Sequence, residues 1–217
     1  SGIFHQSLPL NILAQNVGNK NLRDPVAYHY VLGVNRLLTE NTRLTLEVYD
    51  KEYDNFPLDP SSPPLFIIDE LLYRYGTFLN HNTLIDDGRA YARGIELMIQ
   101  KKLAQDVYGL LSGSYFRTRY RGFDDVWRDR VFDNRFMVSV EGGYKPNDEW
   151  EFSIRWIYAG GPPYTPFDAA ASKLQNAGVF DQSRINGARQ ADYHSLNVRF
   201  DKRFHFAHSN FIFYLSV

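Results

Sequence analysis

Three short stretches bring together residue types that do chemistry. Asp192, His194 and Ser195 stand close in the chain and are the types of an acid, a base and a nucleophile. Adjacent residues of a strand point to opposite faces, so His194 cannot serve Ser195 there. No Gly-x-Ser-x-Gly turn occurs to present a nucleophile. His205 and His208 flank a tight turn and lack the further ligands that a zinc site needs. Asp86-Asp87-Gly88 resembles the start of a calcium loop, but the alternating ligands and the distal Glu are missing. It reads instead as a turn that opens a strand. The sequence predicts no catalytic residue, no metal and no cofactor.

Two other stretches suggest binding. "YFRTRYRGFDDVWRDR" (115–130) interleaves aromatics with arginines, as surfaces for single-stranded nucleic acid do. Asp124, Asp125 and Asp129 offset that charge, and the whole chain carries a net charge of -1. A nucleic-acid partner is therefore not expected. The sharper reading is ligand capture, or contact with an anionic surface glycolipid, through Arg121, Trp127 and Arg128. The plainer one is an ordered solvent loop. "AGGPPYTPFD" (159–168) has no Lys after its glycines and is no phosphate loop. Tyr164 and Phe167 are candidates to face a ligand vestibule; a structural role is the competing reading.

The elements that must position these residues are strands. Apolar residues recur at every second position in Tyr28–Val34, Leu44–Val48, Ile95–Ile99, Phe136–Val140, Leu196–Phe200 and Phe211–Val217. Residues 107–120 also read as a strand, with a muddier alternation. Trp150, Phe152, Ile154, Trp156 and Tyr158 form one row of "WEFSIRWIYA", and Glu151 and Arg155 stand in the other. No convincing amphipathic helix is found. The strands run to roughly 11–15 residues, longer than the ~5–6 usual in globular proteins and enough to cross a bilayer at a tilt. Short polar turns at 39–41, 104–106, 146–148 and 207–209 alternate with long links at about 54–89, 121–132 and 162–190. One plain rim and one elaborate rim are the pattern of an up-and-down membrane barrel.

Composition agrees. Aromatics make up 16% of the 217 residues, although mean hydropathy is only -0.40. That combination fits strands wetted on one face. Tyr144, Trp150, Phe204 and Phe211 lie near the short turns, and Tyr28, Tyr30, Tyr91 and Tyr158 near the long links. These are two aromatic belts around an aliphatic band. An Arg or Lys at mid-depth on a lipid face costs ~2–4 kcal/mol, and the row from Trp150 to Tyr158 contains none. That row is expected to face lipid. Glu47, Glu96, Arg135, Glu141, Glu151, Arg155, Arg199 and Asp201 are expected to face a lumen, where they either satisfy one another or meet a plug or ligand. The chain lacks cysteine and starts Ser1-Gly2 without Met, so its natural N-terminus is expected to lie upstream.

"PVAYHYVLGVNRLLTENTRLTLEVYDKEYDN" (25–55), "GRAYARGIELMIQKKL" (88–103) and "ADYHSLNVRFDKRFHFAHSNFIFYLSV" (191–217) resemble the C-terminal half of the barrel in TonB-dependent outer-membrane receptors. The resemblance rests on patterns in order, with Gly94-Ile95-Glu96 and Leu196-Asn197-Val198-Arg199 the most suggestive pieces. It implies an all-β fold: about nine antiparallel strands, roughly strands 13 to 21 of a 22-stranded barrel. Residues 1–217 would form one partial barrel domain, without plug, coupling segment or closing strand. It implies active import of a ferric siderophore, cobalamin, glycan or peptide across the bacterial outer membrane, with lipid, the transported ligand, the parent's plug and, through it, the TonB system as partners. The alternatives are an outer-membrane barrel enzyme or adhesin, which would need Ser, His and acidic groups converging on one rim, and a soluble ligand-binding β-barrel with its apolar face turned inward.

Overall fold

The structure, a computed structural model, describes residues 19, 21–69 and 83–217. The middle of the expected 54–89 link lies outside the described residues. Eight long strands follow one another in an antiparallel meander: β1 (Val26–Thr39), β2 (Thr42–Leu58), β3 (Ile85–Ala104), β4 (Val107–Arg121), β6 (Phe136–Tyr144), β7 (Trp150–Ala159), β10 (Tyr193–Phe206) and β11 (Ser209–Ser216). A short strand, β5 (Trp127–Asp129), folds back on the end of β4 and brings the sheet to nine. β8 (Pro163–Tyr164) and β9 (Ala188–Arg189) pair separately inside the last long link. The fold is all-β and up-and-down, as the alternation predicts, and partial, as the resemblance implies.

Register turns the alternation into one surface. The ladder aligns Leu32 with Val48, Val48 with Ile95 and Ile95 with Tyr115. Further along it aligns Tyr115 with Phe136, Val140 with Trp156, Trp156 with Leu196 and Phe200 with Leu215. Paired residues share a face, so an apolar band runs unbroken across all eight strands. Its members are exposed, Leu32 by 76% and Leu196 by 58%. A single slip of one residue would move a whole row to the other face.

β4 explains its own muddiness. Its band row contains Gly109 and Gly113, and its opposite row contains Leu110 and Phe116. Other glycines make room for tyrosines on that opposite face. A Cβ on Gly143 would stand 2.3 Å from Tyr108 Cζ, and one on Gly94 would stand 2.7 Å from Tyr49 Cζ. Glycine is required there by close approach of a neighbouring ring.

The well-packed core is small and sits at the long-loop end. Phe56, Leu58, Phe66, Ala90 and Tyr120 are buried together. The loop after β2 folds back over the face opposite the band. Phe66 stacks on Tyr120 at 4.8 Å, and the Tyr120 hydroxyl donates to Pro64 O at 2.7 Å. β2 and β3 run 17 and 20 residues, well past the band, and bulges between Tyr53 and Leu58 bend β2 toward this core.

Candidate functional site at the loop rim

Three segments meet at the long-loop end of the sheet: the β2 loop, the β4–β5 hairpin and the 160–192 link. The hairpin places β5 residues alternately on the two faces. Arg128 and Arg130 turn to the face of the small core, where Arg130 Nε donates to the buried Asp69 at 3.0 Å. Arg128 forms a two-pronged pair with Asp124, at 2.8 and 2.6 Å. That pairing and burial act on Asp124 in opposite senses, and the guanidinium wins: the carboxyl lies below its ordinary range.

On the band side, Asp129 and Asp133 gather four arginines. Arg117, Arg119, Arg135 and Arg189 reach Asp129 at 3.3, 3.2, 3.1 and 3.0 Å. Asp133 is fully buried. It accepts from Thr118 N at 2.6 Å and pairs with Arg189 and, at 3.5 Å, with Arg135. It thereby caps the stretch of β4 left open between β5 and β6. Burial pushes the Asp129 carboxyl up, but hydrogen bonds from Arg189 and Arg135 and the field of Arg117 outweigh it, and the net shift is down. Arg135 holds a left-handed backbone, φ 67°, at the kink that leads into β6.

The 160–192 link carries a two-turn helix, α1 (Ala169–Gln175), capped by Asp168, which accepts from Ala171 N at 2.9 Å. With seven residues and Leu174 exposed by 86%, it has no apolar stripe for periodicity to reveal. Phe167 stacks on Phe180 at 4.7 Å and Tyr164 is exposed. Asn186 ties the link to the hairpin by donating to Asp129 O at 2.9 Å. Beside the cluster a cavity of about 820 Å³ opens among Tyr28, Glu52, Tyr91, Arg93 and Trp127.

The predicted binding residues therefore fall in three places. Register sets Arg121 and Trp127 opposite each other on the band side, Trp127 against Tyr91 at 5.2 Å and Arg121 paired with Asp87 and Asp125. Arg128 is on the other side. Tyr164 and Phe167 belong to the separate link. Glu47, Glu96, Glu141, Glu151, Arg155, Arg199 and Asp201 lie on the face opposite the band. There Arg155 pairs with Glu141 at 2.9 Å, Arg203 with Glu151 at 2.6 Å and Arg199 with Asp201 at 2.7 Å. Glu47 and Glu96 stand directly opposite each other, and neither forms an ion pair among the described residues. Arg135 departs from its row: its guanidinium joins the Asp129–Asp133 cluster. Trp150, Phe152, Ile154, Trp156 and Tyr158 form the band row of β7.

Sequence reasoning missed the Asp129–Asp133 cluster. Its signal was present as Arg117, Arg119 and Arg121, spaced by two and so on one face; what was missing was the hairpin that brings Asp129 across from Arg119. Asp192, the acid of the supposed triad, accepts from the Tyr158 hydroxyl at 2.6 Å and from Gly161 N at 2.9 Å. His205 meets Asn210 Oδ1 at 2.9 Å. Among the described residues no three His, Asp or Glu side chains converge as a metal site.

The family model described as "TonB dependent receptor-like, beta-barrel" matches residues 4–217. The chain belongs to the TonB-dependent receptor β-barrel family. Members of this family reside in the outer membrane. Among solved structures, the TonB-dependent receptor chain is similar to the closed form of the ferric-catecholate import receptor Fiu from K12 E. coli, with a TM-score of 0.58 and 10% identity over 85% of this chain and 22% of that one. It is similar to the ferripyoverdine receptor of Pseudomonas aeruginosa, with a TM-score of 0.57 and 13% identity over 85% and 22%. The FpvAI–pyocin S2 complex gives 0.61 and 12% over 86% and 23%. The chain thus spans less than a quarter of these receptors' length. Among curated protein sequences none matches it. No helix among the described residues is long and apolar enough to cross a membrane, which says nothing about crossing by strands.

Proposed function

We propose that this chain is a wall segment of an active importer in the bacterial outer membrane, taking up a scarce nutrient of the ferric-siderophore class. The apolar band faces lipid, the face of Glu47, Glu96, Glu141, Glu151, Arg155, Arg199 and Asp201 lines an aqueous interior occupied by the parent's plug, and the long-loop rim faces outward. The observation that carries this reading is the band itself, continuous over eight strands and without a charge between Trp150 and Tyr158. A soluble barrel would have to fill its interior with those rows. The ferric-siderophore class rests on the two receptors above whose descriptions name such ligands. Arg128, Tyr164 and Phe167 are the rim residues offered to the ligand. The plug transmits the pull of the TonB system, and the Glu47–Glu96 couple, without an ion pair among the described residues, suits a basic group of the plug.

The test uses the full-length receptor. Cells that depend on it should take up radiolabelled iron when supplied with the matching siderophore, and only with an intact TonB system. Uptake that persists without TonB, or purified receptor that retains no iron chelate from any siderophore class, counts against the proposal.

A further inference from the structure

Arg189 joins stretches that lie far apart in the chain. It is the second residue of β9, inside the 160–192 link. Its Nη1 donates to Asp133 O at 2.6 Å and to Gly161 O at 3.0 Å. Its Nη2 donates to Asp129 Oδ2 at 3.0 Å and to the Asp133 carboxylate. All the Nη hydrogens are thereby used, on the hairpin, on the turn into β6 and on the base of the link itself. Asp133 in turn is fully buried and accepts from Thr118 N at 2.6 Å. The same contact therefore fixes β4 between the stretches that pair with β5 and with β6.

The backbone around this contact is pressed close. A Cβ on Gly160 would stand 2.2 Å from Asn134 O, and one on Gly161 would stand 1.8 Å from Gln190 O. Asn134 Nδ2 donates to Gly160 O at 2.7 Å, and Asn186 Nδ2 to Asp129 O at 2.9 Å. The two glycines of "AGGPPY" thus serve the approach of one backbone to another. Beyond this seam the link closes on itself. Phe167 bridges to Phe180 and stacks on it, Asp168 N donates to Val179 O at 2.8 Å, and Asp181 N donates to Pro166 O at 2.9 Å. Asn186, in a left-handed backbone at φ 53°, joins this lobe to the seam, its N–H donating to Thr165 Oγ1 at 3.0 Å. A planar guanidinium filling acceptors on several segments at once admits one arrangement of those segments. We propose that Arg189 makes the β4–β5 hairpin and the 160–192 link a single body, so that a local opening of either one opens the other. This goes beyond the import reading and holds whatever the ligand.

The test is hydrogen exchange read by mass spectrometry on the full-length receptor in nanodiscs. Heat-dependent gel mobility certifies that each variant is a folded barrel. In R189Q the amides of residues 117–130 should exchange about tenfold faster than in the wild type, as the loss of charge-assisted hydrogen bonds implies, although the substitution lies in the other segment. Residues 182–191 should quicken with them, and the lobe of residues 166–181 should keep its protection. Coupling is reciprocal, so D129N, in the hairpin, should quicken residues 182–191 by a similar factor. The double variant R189Q/D129N should open little more than either single one. R189K keeps the charge but not the fork and should behave as R189Q does, whereas R184Q, at an exposed position of the same link, should leave the hairpin unchanged. Faster exchange in R189Q confined to the link overturns the proposal, as do additive effects in the double variant. Full protection in R189K overturns the fork as the cause of the coupling.

Discussion

Gly143 and Tyr108 form a fitted pair. The ring lies across the glycine and its hydroxyl donates to Glu151 at 2.5 Å. Replacing Gly143 with Ala puts a methyl 2.3 Å from the ring, so the tyrosine must move and strain its bond to Glu151. The expected loss is about 1–3 kcal/mol, read as a lower denaturation midpoint of the full receptor refolded in vesicles; Gly113→Ala is the control, since a Cβ there meets nothing within 4 Å. The β4–β5 hairpin is expected to respond to acid. Asp124 and Asp129 both titrate below their ordinary range when folded. A depressed carboxylate adds stability above its unfolded value of about 3.9, and the contribution disappears as pH falls through the folded value. Hydrogen exchange over residues 122–130 should therefore quicken below about pH 4, and Asp124→Asn should already be fast at neutral pH. Such pairings were only partly readable in advance. Arg155 and Glu141 stand on adjacent strands, and their shared face follows from alternation, whereas the meeting of Asp133, Arg135 and Arg189 depends on how two loops lie together.

At the scale of elements, the long strands were legible because each carries an apolar row on one face and more polar residues on the other, and therefore a period of two. The exceptions have physical reasons. β4 blurs because glycines occupy its band row. β5 is three residues long, too short for a period. α1 has no buried side to mark. The last residues of β2 (54–58) and the first of β3 (85–89) read as loop in the sequence because charged residues follow the band there; Arg93 pairs with Asp50 and Glu52 and Arg89 with Asp54 across the strands, which lets the ladder continue past the apolar band. The alternation itself can be tested directly, since the chain contains no cysteine. Single cysteines at Ile154 and Ser153 in the full receptor are expected to part company: I154C should react with a lipid-soluble maleimide and resist a charged one, with S153C the reverse. The same reactivity at both positions would falsify the orientation.

At the scale of the whole molecule, the sheet has two edges, β1 and β11, each paired on one side only among the described residues. Unpaired edges are costly in lipid and sticky in water. Expressed alone in detergent, residues 1–217 are expected to run as multimers or aggregate on size exclusion; a compact monomer would contradict this.

The strands are also unequal in reach. β3 has 20 residues, about 66 Å of strand, while β7 has 10, about 33 Å. Tilted near 45°, β7 and β3 rise about 23 and about 47 Å, so β7 just matches an apolar band ~25 Å tall and β3 stands about 20 Å above it. The mouth is thus lopsided, a parapet on one flank and a low sill on the other. Antibodies raised against intact cells should find strand epitopes on the parapet alone.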